Sequence, residues 1–159
     1  MQDTKAKLLI RNATLADVAD IVALSRRVYA AELSYSPQQV RGQINNFPEG
    51  VFVAVYDGKI VGYCVTCIVE ERIARRQHTW HEISGGGFSS RHNPDGDYLY
   101  GLDVSVDPDY RRLRIGQRFY RARRELCRRL ELKGIMFGGR MSGYQRRRRD
   151  YPDPEAYLE

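Results

Sequence analysis

Hydrophobic and polar positions along the chain alternate between two periods, one suited to strands and one to helices. Residues 7–12 (KLLIRN) form a short apolar run that reads as a first strand. Thr14-Leu15-Ala16-Asp17 reads as a capping-box start with Thr14 as N-cap. Leu15, Val18, Ile21, Val22, Ser25 and Val28 then recur at helical spacing to about Tyr29. Ser36 followed by Pro37 predicts a second helix to about Asn45. The segment Asn46-Phe47-Pro48-Glu49-Gly50 breaks it. Val51–Tyr56 and Lys59–Val69 are β-rich runs joined by Asp57-Gly58, a strong signal for a tight antiparallel hairpin.

Residues 70–97 carry no sustained period, apart from a short helical turn expected at residues 78–83. They include Gly85-Gly86-Gly87 and Asn93-Pro94-Asp95-Gly96. A loop of that length inside one domain is functional or mobile. Tyr98–Val106 reads as a strand ended by Asp107-Pro108-Asp109. Ile115, Phe119, Ala122, Leu126 and Leu130 mark one face of a long helix. Arg114, Arg118, Arg121, Arg124 and Arg128 lie on another face. Ile135-Met136-Phe137 predicts a short buried strand. A last helix starts with Asp153 as N-cap and Pro154 at its first position. It has less than two turns, too few to be stable alone. The expectation is therefore a single domain over residues 1–159 that is part of a longer polypeptide.

A chain of 159 residues with 42% hydrophobic and 29% charged residues suits one globular domain, not a disordered segment. No apolar run approaches the roughly 20 residues of a membrane span. The amino-terminal residues lack the features of a secretory signal, so the expected location is cytoplasmic. The net charge of +6 comes almost wholly from arginine, whose planar fork matches phosphates and carboxylates. Cys64 and Cys67 have C-x-x-C spacing, but three residues apart on a strand they face opposite ways. They read as small core residues.

The sharpest chemical feature is the turn from Val104-Ser105-Val106 through Asp107-Pro108-Asp109-Tyr110 to Arg111-Arg112-Leu113-Arg114-Ile115-Gly116-Gln117. A strand runs through it straight into a long helix. The first backbone N–H groups of that helix lack internal partners and carry the positive end of its dipole. A pyrophosphate is the natural guest.

This stretch resembles the acyl-CoA signature of GNAT acyltransferases: Arg or Gln, two free positions, Gly, one free position, then Gly or Ala. In this chain it becomes Arg111-x-x-Arg114-x-Gly116, with arginine replacing the first glycine. Two readings of Arg114 are open. A positive φ there costs about 1 kcal/mol or more in strain. A helical φ, the cheaper option, lays the side chain beside the phosphates. The resemblance implies an α/β fold of the GNAT acyl-CoA-binding type: a central, mostly antiparallel mixed sheet flanked by helices. It implies acetyl-CoA or another short acyl-CoA as co-substrate and a small amine as acceptor. Its cofactor-binding residues would be Val104, Ser105, Val106, Arg111, Arg112, Leu113, Arg114, Ile115, Gly116 and Gln117. The strand at residues 104–106 would splay from its neighbour and pair with the pantetheine arm. A backbone N–H there would contact the oxyanion, and Arg118 or Arg121 would reach the terminal phosphate.

A narrower resemblance is carried by residues 44–50, 78–87 (HTWHEISGGG), 97–110, 113–118 and 134–140. These look like the GNAT-like N-terminal domain fused to carbon–nitrogen (nitrilase-type) hydrolases, in which arginine at position 114 is expected. It implies a covalently linked hydrolase domain and a second functional reading, a non-catalytic acyl-CoA-binding or regulatory domain.

Catalytic residues are less legible. In GNAT enzymes the base is often a carboxylate near the splayed strand. Asp103 is the one acid inside the strand, and alternation sets it opposite Tyr100, Leu102 and Val104. It reads either as a base or as a structural acid, and Glu82 is a second candidate. The acid is commonly a tyrosine on a later helix; Tyr144 and Tyr151 lie nearby without matching a motif. His78-x-x-His81, with Glu82 and His92, lacks a third metal ligand of convincing spacing, so no metal is expected. Gly85–Gly87 lacks the Lys-Ser/Thr of a phosphate loop and reads as a flexible entrance. The run Arg146-Arg147-Arg148-Arg149 has no interleaved aromatic platform and reads as a solvated or docking segment, not a nucleic-acid patch. An RNA-binding module is the competing class. The pattern leaves homo-oligomerisation open.

Overall fold

The computed structural model describes residues 7–139, 144–151 and 153–158. Residues 1–6, read above for a targeting signal, and Arg140, the end of the last resembling segment, lie outside it. Five strands form one sheet in the order β1-β2-β3-β4-β5. Strand β1 (Leu8–Asn12) pairs antiparallel with β2 (Val51–Tyr56), β2 with β3 (Lys59–Val69), and β3 with β4 (Tyr98–Val106). Strand β5 (Gly134–Phe137) runs parallel to β4. The mixed, mostly antiparallel sheet expected from the sequence is therefore present. The β2–β3 hairpin turns at Asp57 (φ 50°) and Gly58 (φ 76°). Both positive angles fit the primed turn that matches strand twist.

Helices α1 (Val18–Val28) and α2 (Pro37–Asn46) cover one face. Ile21, Val22, Val40 and Ile44 pack there on Val51, Val53, Tyr63, Val65 and Cys67. Helix α5 (Ile115–Arg129) covers the other. Ile115, Phe119 and Leu126 meet Ala54, Val61, Cys64, Ile68 and Leu99. Strand β3 is buried on both faces, so it reads as a nearly continuous apolar run. Cys64 and Cys67 enter different core clusters, as their spacing on a strand required. Burial pushes both thiols up to about 12, so neither is a nucleophile near neutrality.

Helix starts follow the sequence signals. Ser36 Oγ accepts from Gln39 N at 3.2 Å, and Gln39 Oε1 accepts from Ser36 N at 2.9 Å. At the first helix the Asp17 carboxylate accepts from Thr14 N at 2.8 Å and is held by Arg11 at 2.7 and 2.9 Å. That helix opens with a 3₁₀ turn at Leu15–Asp17 before becoming α-helical.

The segment 70–97 is more structured than its pattern suggested. It contains α3 (Glu71–Arg75) and α4 (Trp80–Ile83). Its glycine run is clamped, not loose. Gln39 Nε2 donates to Gly86 O at 2.9 Å, Gln43 Nε2 to Gly87 O at 2.7 Å, and Asn46 Nδ2 to Phe88 O at 2.9 Å. Gly85, Gly86 and Gly87 all have positive φ, and a Cβ on Gly87 would stand 2.6 Å from Gln39 Nε2. Positive φ at three consecutive residues is what requires glycine there. The expectation of a flexible entrance is corrected: side chains along one face of α2 hold this backbone.

Strand β5 is also less buried than expected, and Phe137 is 52% exposed. Among the described residues it is the last strand of the sheet, beside an open cleft, so no described strand covers its far side. Helices α6 (Tyr144–Arg147) and α7 (Pro154–Leu158) follow. Asp153 Oδ1 accepts from Glu155 N at 3.0 Å, as an N-cap should.

Candidate active site

The β4–β5 ladder runs from Tyr98↔Gly134 to Gly101↔Phe137 and then stops, while β4 continues to Val106. Strand β5 ends at Phe137, and a cleft of about 1380 Å³ lies between Gly138-Gly139 and the unpaired half of β4, lined from both faces of the sheet. On the α1 face it is lined by Tyr29, Tyr35, His78, Trp80, Tyr100 and Asp103. On the α5 face Gly116, Gln117, Tyr120, Arg121, Arg123 and Arg124 line it. Val104, 37% exposed, stands in the opening itself.

A bulge decides which side chains face which way. Val65 pairs with Asp103, but Thr66 pairs with Gly101, so Leu102 is an extra residue on β4. Simple alternation set Asp103 opposite Tyr100 and Leu102. The bulge breaks that alternation, and all three face α1 and α2. Tyr100 and Leu102 join the core cluster there. Asp103 Oδ1 accepts from Tyr29 Oη at 2.5 Å, and Oδ2 accepts from Tyr35 Oη at 3.0 Å and Ser105 Oγ at 2.8 Å. The Leu102 carbonyl accepts from Trp80 Nε1 at 2.9 Å. Burial pushes the Asp103 carboxyl above the ordinary carboxylate range, against the hydrogen bonds from Tyr29, Ser105 and Tyr35 that favour its ionised form. Burial, followed by the Asp103 charge, holds the Tyr35 hydroxyl well above its ordinary value.

A second polar pair lies on the same face. His78 Nε2 is 2.8 Å from Tyr100 Oη, and its Nδ1 is 2.7 Å from the Arg76 carbonyl. Burial raises the Tyr100 hydroxyl, with Cys67 adding to the effect. His81 and Glu82 border a separate small hollow with Gly85 and Gly86. Glu82 also closes the α4 cap, accepting from Thr79 N at 3.0 Å. The structure therefore takes Glu82 away from the main cleft, and it sends His78 and His81 to different places. His92 stacks on Phe47 at 4.2 Å and accepts from Ile68 N at 3.0 Å.

The strand-to-helix turn is built as a cradle. Asp107 Oδ1 accepts from Asp109 N at 3.0 Å, and Arg27 Nη1 lies 3.0 Å from Asp107 Oδ2, tying the turn to α1. A 3₁₀ turn (Pro108–Leu113) leads to Arg114, at φ 57° and ψ 34°. The helical reading of Arg114 is thus corrected: the residue is left-handed, because the chain must reverse between the 3₁₀ turn and α5. That conformation costs a non-glycine residue about 1–2 kcal/mol. From Ile115 onward α5 presents unpaired N–H groups at its first turn. Gly116 borders the cleft, and a Cβ on it would meet nothing within 4 Å.

The other turn residues divide by environment. Ile115 is buried in the core, and Leu113 is half-buried against it. Arg111, Arg112 and Arg114 are exposed. Ser105 is buried on the α1 face beside Asp103, and Val106 packs on the α5-side core. Neither side chain lines the cleft.

Sequence reasoning missed Arg123, Tyr29, Tyr35, Trp80 and the His78–Tyr100 pair. Arg123 had a signal: it lies four residues after Phe119 and three before Leu126, on the apolar face of α5. The aromatic residues had none, because chain folding alone gathers them.

A five-stranded sheet split between β4 and β5, with a helix N-terminus at the mouth of the split, defines an acyl-CoA-binding type of fold. The acetyltransferase (GNAT) family matches residues 18–151, and the chain belongs to that family. It is 37% identical over 140 residues to the probable hydrolase YhcX of Bacillus subtilis, spanning 88% of this chain and 27% of YhcX. It is 33% identical over 141 residues to the uncharacterized N-acetyltransferase YkwB of the same organism, spanning 86% of this chain and 62% of YkwB. The chain thus covers less than two thirds of the length of either relative. Among solved structures, the GNAT-like decarboxylase GphF in complex with isobutyryl-CoA superposes with a TM-score of 0.74 at 24% identity. That match covers 89% of this chain and 71% of GphF.

Proposed function

We propose that this domain binds a short acyl-CoA, acetyl-CoA in the simplest case, and transfers the acyl group to a small amine. One observation carries the reading: a single cleft joins the N-terminus of α5 to Asp103 through the β4–β5 split. The N–H groups at residues 115–117 take the pyrophosphate, and Gly116 lets it approach the backbone. Arg111, Arg112 and Arg114 add charge around it, with Arg118 or Arg121 meeting the terminal phosphate. The pantetheine arm enters along residues 104–106.

The amine approaches from the α1 face, where aromatic rings and Asp103 receive a cation. Ionised Asp103 takes its proton, leaving a nucleophilic amine. Backbone N–H groups of β4 steady the tetrahedral oxyanion. Tyr100, held by His78, is protonated at neutral pH and returns a proton to the departing thiolate. We place the reaction in the cytoplasm, where three buried, unpaired cysteines remain reduced. Homo-oligomerisation is compatible with this scheme.

The test is release of free CoA thiol from acetyl-CoA with a panel of primary amines. Release that depends on both substrates supports the proposal, and none from the full-length protein overturns it. The similarity to a probable hydrolase favours a second reading, a non-catalytic acyl-CoA-binding domain linked to a carbon–nitrogen hydrolase. Calorimetry showing tight CoA binding without turnover selects that one.

A further inference from the structure

Arg123 is the only buried arginine among the described residues, at 4% exposure, and its Nε has no hydrogen-bond partner. It lines the cleft. Tyr120 and Phe137 hold the guanidinium, with ring centroids 4.6 and 5.7 Å from its central carbon. A Cβ on Gly101 would stand 2.6 Å from Arg123 Nη1, so the group lies against the last β4 residue that pairs with β5. It therefore sits where the strands part. Seven residues separate it from Gly116, about 10 Å along the helix. That is well beyond the turn offered to the pyrophosphate.

Burying a cation is costly unless an anion meets it. The acid in the same cleft, Asp103, faces α1 and is engaged by Tyr29, Tyr35 and Ser105. The aromatic contacts fix the guanidinium, and no acid among the described residues pairs with its charge. A planar fork at the end of a cleft matches a carboxylate with two parallel hydrogen bonds.

We propose that Arg123 forms a carboxylate subsite and that the preferred donor is the CoA thioester of a short dicarboxylic acid. This rests on the acyl-CoA reading above. The carboxylate belongs to the donor because Arg123 projects from α5, whose N-terminus is the phosphate end. The groups suited to an amine lie on the opposite face of the sheet.

The test is calorimetry of CoA, acetyl-CoA, malonyl-CoA and succinyl-CoA with no acceptor present, which removes an acceptor carboxylate as the source. A dicarboxylic thioester should bind at least tenfold more tightly than acetyl-CoA. In Arg123→Gln that ratio should fall to about one, and Arg123→Lys should keep part of it. Equal affinities in the unmodified protein overturn the proposal, as does a ratio that survives Arg123→Gln. If Arg123→Gln fails to fold by circular dichroism, the unmodified protein and Arg123→Lys decide. No binding of CoA itself would sink the acyl-CoA reading. CoA binding without the preference would sink this inference alone.

Discussion

Tyr35, at the entry to α2, donates its hydroxyl to the Asp103 carboxylate on β4 at 3.0 Å, across 68 residues of chain. The bond exists because Leu102 bulges from the β3–β4 ladder and turns Asp103 toward α1. Burial raises the Asp103 carboxyl, while Tyr29, Ser105 and Tyr35 favour its ionised form. The net upward direction makes the carboxylate a stronger base than an ordinary one.

Asp103 as base predicts a rate that falls as pH drops through its raised value, because the protonated carboxyl cannot accept the amine's proton. The acid limb of kcat/KM should therefore lie above the ordinary carboxylate range of about 4. Asp103→Asn should lower kcat by roughly 100-fold and remove that limb. An unchanged acid limb in the variant would assign the base elsewhere.

Gly116 separates binding from folding. Open space surrounds the position of its missing Cβ, and the residue is helical. Gly116→Ala should hold or raise stability by up to about 1 kcal/mol through helix propensity. The same methyl group faces the cleft, so CoA affinity should fall about tenfold or more. Thermal unfolding and calorimetry on one preparation check both effects.

Arg114 stores strain in its left-handed backbone. Arg114→Gly should relieve it and stabilise the domain by about 1 kcal/mol. For a domain of this size that raises Tm by about 2–4 °C. A drop in Tm would show that contacts of the arginine side chain outweigh the strain.

The Arg11–Asp17 pair gives the fold a defined acid sensitivity. Hydrogen bonds from Arg11 lower the Asp17 carboxyl to about 2, with Thr14 adding to the effect and burial opposing it. A depressed carboxyl stabilises the fold above its unfolded value near 4, and that stability is lost as pH falls toward 2. Arg11 is 38% exposed, so solvent reduces the pair's contribution to about 1 kcal/mol. Asp17→Asn should cost that amount at pH 7 and only a small part of it near pH 2, measured by urea unfolding at both values.

The amino-acid order by itself determined the features set by short-range rules. The apolar run of β3, the Asp57-Gly58 hairpin, the Ser36 and Asp153 caps and the strand-to-helix order around Arg111–Gly116, though not the left-handed backbone of Arg114, depend on residues within a few positions of one another. Local periodicity, positive φ and unpaired helix ends act over that range, so they are legible without a fold. The tertiary structure decided the chemistry of the cleft. Whether Leu102 bulges depends on the register with β3, more than thirty residues earlier, and that choice turns Asp103 to the other face. Tyr29, Tyr35 and Trp80 meet only because α1, the entry to α2 and the loop before β4 converge on one face of the sheet. Arg123 shared the spacing of an apolar stripe, but its burial required β4 and β5 to close around it. A side chain's environment depends on the surfaces brought against it, and those surfaces come from distant parts of the chain.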